Sequence, residues 1–155
     1  MTIREFQKTD APAVSQLIIR TLRVSNAKDY SPDVLEEVIS RQGPESVLER
    51  ASWTHFYVAE DCGSLIGCGA IGPYWGSTLE SSLFSFFVAP EHQGKGVGRR
   101  IMERLEQDDF FLRARRIEIP ASITALGFYQ KMGYTFKNGN DQPDAEMLYR
   151  LEKYR

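Results

Sequence analysis

Cysteine and histidine are scarce in this sequence, with two of each among 155 residues. A structural zinc wants four thiolate or imidazole ligands, and Cys62, Cys68, His55 and His92 show no such spacing. No metal is therefore expected. A cysteine nucleophile needs a neighbouring base, and neither histidine is visibly tied to one. Both cysteines read as small side chains in or near the core. Long apolar runs are also missing. Nothing approaches the roughly 18 residues of a membrane span, and the first ten residues lack the apolar core of a signal peptide. Nor is there a charge excess: Lys+Arg 19 against Asp+Glu 21 leaves a net −2. That gives nucleic acid no basic field to meet. Repeats, linkers and low-complexity segments are absent too. What remains is 42% hydrophobic and 26% charged residues, which suits one domain across residues 1–155. The expectation is a cytoplasmic enzyme or small-ligand binding protein, with no nucleic-acid or membrane partner.

Hydrophobic periodicity divides the chain. Residues 2–6 read as a short strand. Asp10 starts a helix with Pro12 in its first turn and Ala13, Leu17, Ile18 and Leu22 at helical spacing. Ser31 as N-cap and Pro32 as first helical residue start the next, with Val34, Leu35, Val38 and Ile39 on one face. Gly43-Pro44 breaks it, and a short third helix follows over 45–52. Residues 54–60, 65–75 and 79–90 then read as a meander of three antiparallel strands. Gly63 turns the first corner, and Pro90 ends the last strand. Glycines inside the second strand imply close packing or a bulge. A helix is expected over 97–112, with Val97, Ile101, Met102, Leu105 and Leu112 as its apolar face. A strand at 115–120, a helix at 122–132 stopped by Gly133, and two closing strands around the polar turn 138–145 complete an α/β fold with a mixed sheet.

The stretch 90–100, PEHQGKGVGRR, sits between a strand and a helix. Helix starts expose unpaired N–H groups and the positive end of the dipole. Glycines let that backbone approach a ligand, and Lys95, Arg99 and Arg100 add positive charge. Together these predict a phosphate or pyrophosphate cradle. A P-loop would place Ser or Thr after the lysine, where Gly96 stands. A dinucleotide fingerprint would follow the first strand of a βαβ unit, whereas the strands before this loop read as antiparallel. A plain glycine-rich turn capping a helix is the remaining alternative for the loop by itself.

Gln93-Gly94-Lys95-Gly96-Val97-Gly98 matches the Q/R-x-x-G-x-G/A signature of the GNAT superfamily of acyl-CoA-dependent N-acetyltransferases. Residues 83–106 resemble that family's fourth strand, pyrophosphate loop and third helix. Residues 121–136 resemble its next segment, carried by Ala125, Phe128, Tyr129, Lys131, Gly133 and Tyr134. The resemblance covers most of the chain and is weakest from Arg20 to Trp53. The DYSP and ASITA stretches are similar to a branch of small bacterial members.

The resemblance implies a mostly antiparallel central sheet, helices on both faces, and acetyl-CoA held where two neighbouring parallel strands splay apart. Backbone groups of Phe87 and Val88 would bond the pantetheine amides, and N–H groups from Gln93 to Gly98 the pyrophosphate. Lys95 and Arg99 would add side-chain phosphate contacts. Tyr129 stands at the family's tyrosine position, as acid toward the CoA sulfur. Phe128 beside it belongs to the same cofactor-side motif and reads as packing. Many members carry a glutamate where this chain has Ser82, so Glu80, on the same face of the strand, becomes the candidate base, acting through water. Glu91 is expected to face solvent. Ser122 replaces an asparagine that bonds the cofactor's arm in many members. Tyr30, Tyr74 and Trp75 are candidates to line a site for a small-molecule or peptide amine. The expected activity is direct acetyl transfer to that amine by a monomer or homodimer, the alternatives being a non-catalytic acyl-CoA sensor on the same fold or a phosphate-ligand enzyme of another class.

Overall fold

The computed structural model describes residues 1–155. Its elements are β1 (Thr2–Glu5), α1 (Ala11–Thr21), α2 (Pro32–Ser40), α3 (Pro44–Ala51), β2 (His55–Asp61), β3 (Ser64–Pro73), β4 (Glu80–Val88), α4 (Val97–Leu105), α5 (Asp109–Leu112), β5 (Arg116–Ser122), α6 (Leu126–Lys131), β6 (Thr135–Phe136) and β7 (Leu148–Tyr154). The strands form one sheet in the order β1-β2-β3-β4-β5-β7-β6. Every neighbouring pair is antiparallel except β4 with β5. No helix is long and apolar enough to cross a membrane.

Apolar side chains fix helices to both faces of this sheet. Val14, Ile18 and Val47 of α1 and α3 pack with Phe56, Val58 and Ala70 on one face. Ile101, Met102 and Leu105 of α4 pack with Tyr57, Ile71 and Leu83 on the other. Local signals set the starts. Ser31 Oγ accepts from the Val34 N–H at 3.3 Å, with Pro32 opening α2. The glycines of β3 answer to close packing. A Cβ built on Gly67 or Gly69 would lie 2.8 Å or 2.9 Å from the Ile101 side chain, so α4 sits down on this strand only because the two positions are bare.

Three expectations change. Ala13 is exposed, and its neighbour Val14 takes the buried position on α1. The helix expected over 97–112 is two helices. Asp108 breaks it: its carboxylate accepts from the Phe110 N–H at 2.8 Å and so caps α5. The same carboxylate takes the Tyr57 hydroxyl at 2.5 Å and faces His55 Nδ1 at 2.8 Å. A buried carboxylate with three partners outweighs one more helical turn. Leu112 consequently turns outward, 55% exposed, while Phe111 fills the core. The helix expected over 122–132 is shorter, because Ser122 Oγ accepts from the Ala125 N–H at 3.1 Å and holds a turn before α6 begins. Past its regular end, α1 continues as a wider π-type turn over Leu22–Asn26, which carries Ser25 and Asn26 inward.

Candidate active site

The parallel pair opens a cleft. β4 and β5 bond only through Glu80↔Arg116, Ser81↔Ile117 and Ser82↔Glu118. Beyond that β4 stays on β3 as far as Val88, and β5 stays on β7 as far as Ser122. A bulge lies just past the parting. Cys68 pairs with Phe87 and Ala70 with Phe84, so Ser85 and Phe86 oppose the single residue Gly69. Ser85 takes a left-handed φ of 50° inside the strand, a conformation that costs a non-glycine residue about 1–2 kcal/mol. Two bonds hold it. The Cys68 S–H donates to Ser85 O at 3.2 Å, and Arg50 Nη1 donates to Ser85 Oγ at 2.7 Å. Burial pushes the Cys68 thiol up to about 12, which keeps it a neutral donor. Residues Ser81–Leu83 are buried, whereas every residue from Phe84 to Val88 is partly open.

Two cavities meet at this parting and share Phe86, Phe87, Ser122 and Tyr129. The first, about 370 Å³, runs under the glycine-rich loop. There Gly94 and Gly96 hold φ of 74° and 85°, which a side chain would resist. The N–H groups from Gly94 to Arg99 find no partner in the protein, and Arg100 is the first to return a bond, to Gly96 O at 3.2 Å. Unpaired donors at a helix start, with Arg99 on the rim, make an anion cradle. Gln93 braces it: its side-chain amide donates to Val88 O at 3.0 Å and to Ser25 Oγ at 3.1 Å. Gly98 lets the helix start meet Phe128, whose ring would lie 3.1 Å from an added Cβ.

Tyr129 stands where the cavities join. Its ring is fixed edge-on against Phe86, Phe128 and Tyr134, at centroid distances of 5.7, 5.3 and 6.4 Å. Burial raises its phenol above the ordinary tyrosine range, so the hydroxyl is protonated at neutral pH. The Tyr134 hydroxyl is sealed inside without a partner; that of Tyr129 is not sealed, and Tyr129 lines both cavities.

A family model describing the acetyltransferase (GNAT) domain matches residues 52–136, from the end of α3 to β6. The chain belongs to the GNAT acetyltransferase family. Its fold is similar to that of PaiA N-acetyltransferase from Thermoplasma acidophilum in complex with coenzyme A, at TM-score 0.82 and 17% identity over 99% of this chain and 98% of that one. It is also similar to a GCN5-related N-acetyltransferase from Rhodopseudomonas palustris, at TM-score 0.80 and 20% identity over 99% and 95%. A GNAT acetyltransferase from Brucella melitensis in complex with acetyl-CoA gives TM-score 0.65 and 21% identity over 99% and 86%. No curated protein matches the sequence.

Within this GNAT fold the expected residues divide. Phe87, Val88, Gly94, Gly96, Gly98, Arg99, Ser122, Phe128 and Tyr129 all line the loop-side cavity. Lys95 is exposed and outside it, and Val97 turns its side chain into the core. The unpaired N–H run starts at Gly94 and not at Gln93, whose own N–H bonds Pro90 O at 3.4 Å. Glu91, exposed, pairs with Arg20 at 2.7 Å.

Glu80 is a correction. It opens β4 at the closed end, with its carboxylate on Arg116 Nε at 2.6 Å, and lines neither cavity. Strand alternation gives its face correctly. Six residues of strand, about 20 Å, still separate it from Phe86. Tyr74 and Trp75 are corrections too. Both lie beyond β3 at that same end. The Tyr74 hydroxyl takes a bond from Lys137 Nζ at 3.2 Å, and Trp75 is 90% exposed. Tyr30 does line the second cavity, of about 260 Å³. Its hydroxyl is already committed, donating to Met147 O at 3.1 Å and accepting from the Ile123 N–H at 2.9 Å. The sequence reading misses Thr21, Ser25 and Asn26 on the loop side, and Arg41 and Arg50 on the other. They come from the region of weakest resemblance, where only a π-type turn and long-range packing bring them in.

Proposed function

We propose that this chain, as one unit over residues 1–155, transfers an acetyl group from acetyl-CoA to a primary amine. The observation carrying this is the parting of β4 and β5, with unpaired N–H groups at one end and the Tyr129 hydroxyl at the junction of two cavities. When bound, acetyl-CoA supplies a thioester carbonyl for a neutral amine to attack. The cradle from Gly94 to Arg99 holds the diphosphate, and Arg99 adds charge at its rim. The Phe87 backbone stays paired with Cys68 on β3, whereas Val88 faces the parting; its N–H, beside a carbonyl already accepting from Gln93, bonds an amide of the arm. Ser122, already accepting from Ala125, keeps a donor for the same arm. The amine enters from the second cavity. As the new C–N bond forms and the C–S bond breaks, Tyr129 donates toward the departing sulfur. The nitrogen gives up one proton, and the products are an N-acetyl amine and a free thiol. The only carboxylate on either lining is the exposed Glu146, so that proton leaves through water.

Thiol release from acetyl-CoA, measured over a panel of amines, tests the reading, with CoA binding followed separately by titration. Amine-dependent thiol release is expected, and Gly96→Glu should abolish CoA binding by placing a carboxylate in the cradle. Saturable CoA binding without thiol release for any amine would favour the sensor alternative. Unaltered CoA affinity in Gly96→Glu would refute the cradle.

A further inference from the structure

The amine side of the cleft holds a charge that no carboxylate of the protein pairs. Arg50, near the end of α3, is half-buried and lines the second cavity. Its guanidinium makes one hydrogen bond, to the neutral Ser85 Oγ at 2.7 Å, and no carboxylate lies within ion-pair reach. Arg116, the other interior arginine, is held instead by Glu80, Glu118 and Glu152 at 2.6, 2.9 and 3.0 Å. A guanidinium carries five N–H donors. Those that Arg50 leaves free are not sealed in the core, because the only buried side-chain polar atoms without a partner are Gln42 Oε1 and Tyr134 OH. Gln42 lines the same cavity, as does Arg41, a second arginine without an ion-pair partner. Burial pulls Arg50 below its ordinary range, yet arginine stays charged in proteins. Glu49 favours the charge from outside ion-pair reach, so an arriving anion still finds the guanidinium without a paired carboxylate. Glu146 does not supply that charge: it is exposed and lies 3.8 Å from Arg150.

The rest of the wall is largely apolar, with Leu22, Leu35, Val38 and Leu83 among its residues. We propose that the acceptor is a small amine with an apolar body and a carboxylate, and that Arg50 binds the carboxylate while the amine reaches Tyr129. This rests on the transfer reading above and names its substrate class. A planar guanidinium fork matches a carboxylate in two parallel bonds. A polycationic amine would meet an unpaired positive charge at the same place. Amino acids with apolar side chains, or short peptides with a free terminal carboxylate, have the required chemistry.

The test uses CoA-loaded protein and product-like probes whose nitrogen does not titrate. N-acetyl-leucine and N-acetyl-phenylalanine are each compared with the corresponding amide by calorimetric titration. The acid is expected to bind at least 10-fold more tightly than its amide, and Arg50→Gln should reduce that ratio, measured within the variant itself, to within twofold. Arg50→Lys, which keeps the charge but loses the fork, should retain a smaller preference. Equal affinity of acid and amide, failure of both acids to bind, or a preference that survives Arg50→Gln overturns the proposal. Thiol-release assays with the parent amines separate the two levels of inference. Turnover of neutral or cationic amines without a carboxylate preference sinks this proposal and leaves acetyl transfer standing. A carboxylate preference in binding, without turnover of any amine, sinks the transfer reading instead.

Discussion

Replacing Tyr129 by phenylalanine removes one oxygen and little else. The ring keeps its contacts with Phe86, Phe128 and Tyr134. No hydrogen bond within the protein is broken, so stability should stay within about 0.5 kcal/mol of the parent. CoA affinity should also hold. Turnover should not. A positioned acid contributes about 10²- to 10⁴-fold, and burial here places the effect at the lower end. An alkyl thiol has a pKa of about 8.5, whereas burial raises Tyr129 above the ordinary tyrosine range of about 10. The phenol is thus the weaker acid of the two, and in the proposed reaction it would donate a hydrogen bond to sulfur as charge grows there, short of complete transfer. A loss of about 100-fold in kcat is expected, or about 2.7 kcal/mol. The assay is single-amine thiol release at saturating acetyl-CoA, paired with thermal unfolding and CoA titration. A kcat within threefold of the parent, with stability unchanged, refutes the assignment of the proton donor.

Three further predictions concern the frame. Arg116→Met leaves Glu152, 7% exposed, without its cation and should cost about 3 kcal/mol. That lowers Tm by roughly 6–12 °C, and adding Glu152→Gln should restore part of the loss in the same melting experiment. Gly69→Ala forces a methyl to 2.9 Å from Ile101 and 3.2 Å from Leu105. It should cost about 1–3 kcal/mol by chemical denaturation, and an unchanged midpoint would mean that α4 does not sit down on β3 as described. Asp10 is held below its ordinary value of 3.8 chiefly by hydrogen bonds from Arg4. Its contribution is therefore fully present above pH 3.8 and lost as pH falls through the lower folded value. Asp10→Asn should be less stable at pH 7 and show a flatter acid limb in urea melts, and identical acid limbs would contradict this.

The loop side of the site was legible because its physics needs particular residue types. Left-handed φ at Gly94 and Gly96, and an N–H run with nothing to bond, require small residues at fixed offsets, and those offsets are visible in the chain. Tyr129 and Phe128 were legible by resemblance, since a second motif in the right order fixes the junction. The misses share another cause. Glu80 lost its role to Arg116, 36 residues later, which becomes its neighbour only when β4 and β5 pair in parallel. Strand parity gives a residue's face, not the end of the strand at which the cleft opens. Tyr74 and Trp75 fell to the same error about ends. The break at Asp108 depends on Tyr57 and His55, more than 50 positions away. Arg50 was illegible for a subtler reason: its meaning lies in the partner that it lacks.

β4 is closed at one end and open at the other. Its first three residues are paired on both sides, and carboxylates from three adjacent strands converge there on Arg116. Its last residues are paired on β3 alone, past a bulge that only Arg50 and Cys68 hold in place. A parted strand leaves backbone groups whose burial without partners costs free energy. The sheet can open at one end only if the other end is closed firmly, and the ion network supplies that closure. The open end is then where a ligand carrying amides and phosphates gains most, because it meets donors and acceptors that folding left unsatisfied. Ser85 couples this opening to the second cavity, because the hydroxyl that steadies the bulge also holds the guanidinium facing it. Filling that cavity with a carboxylate would therefore act on the same strained residue that sets the backbone at the parting.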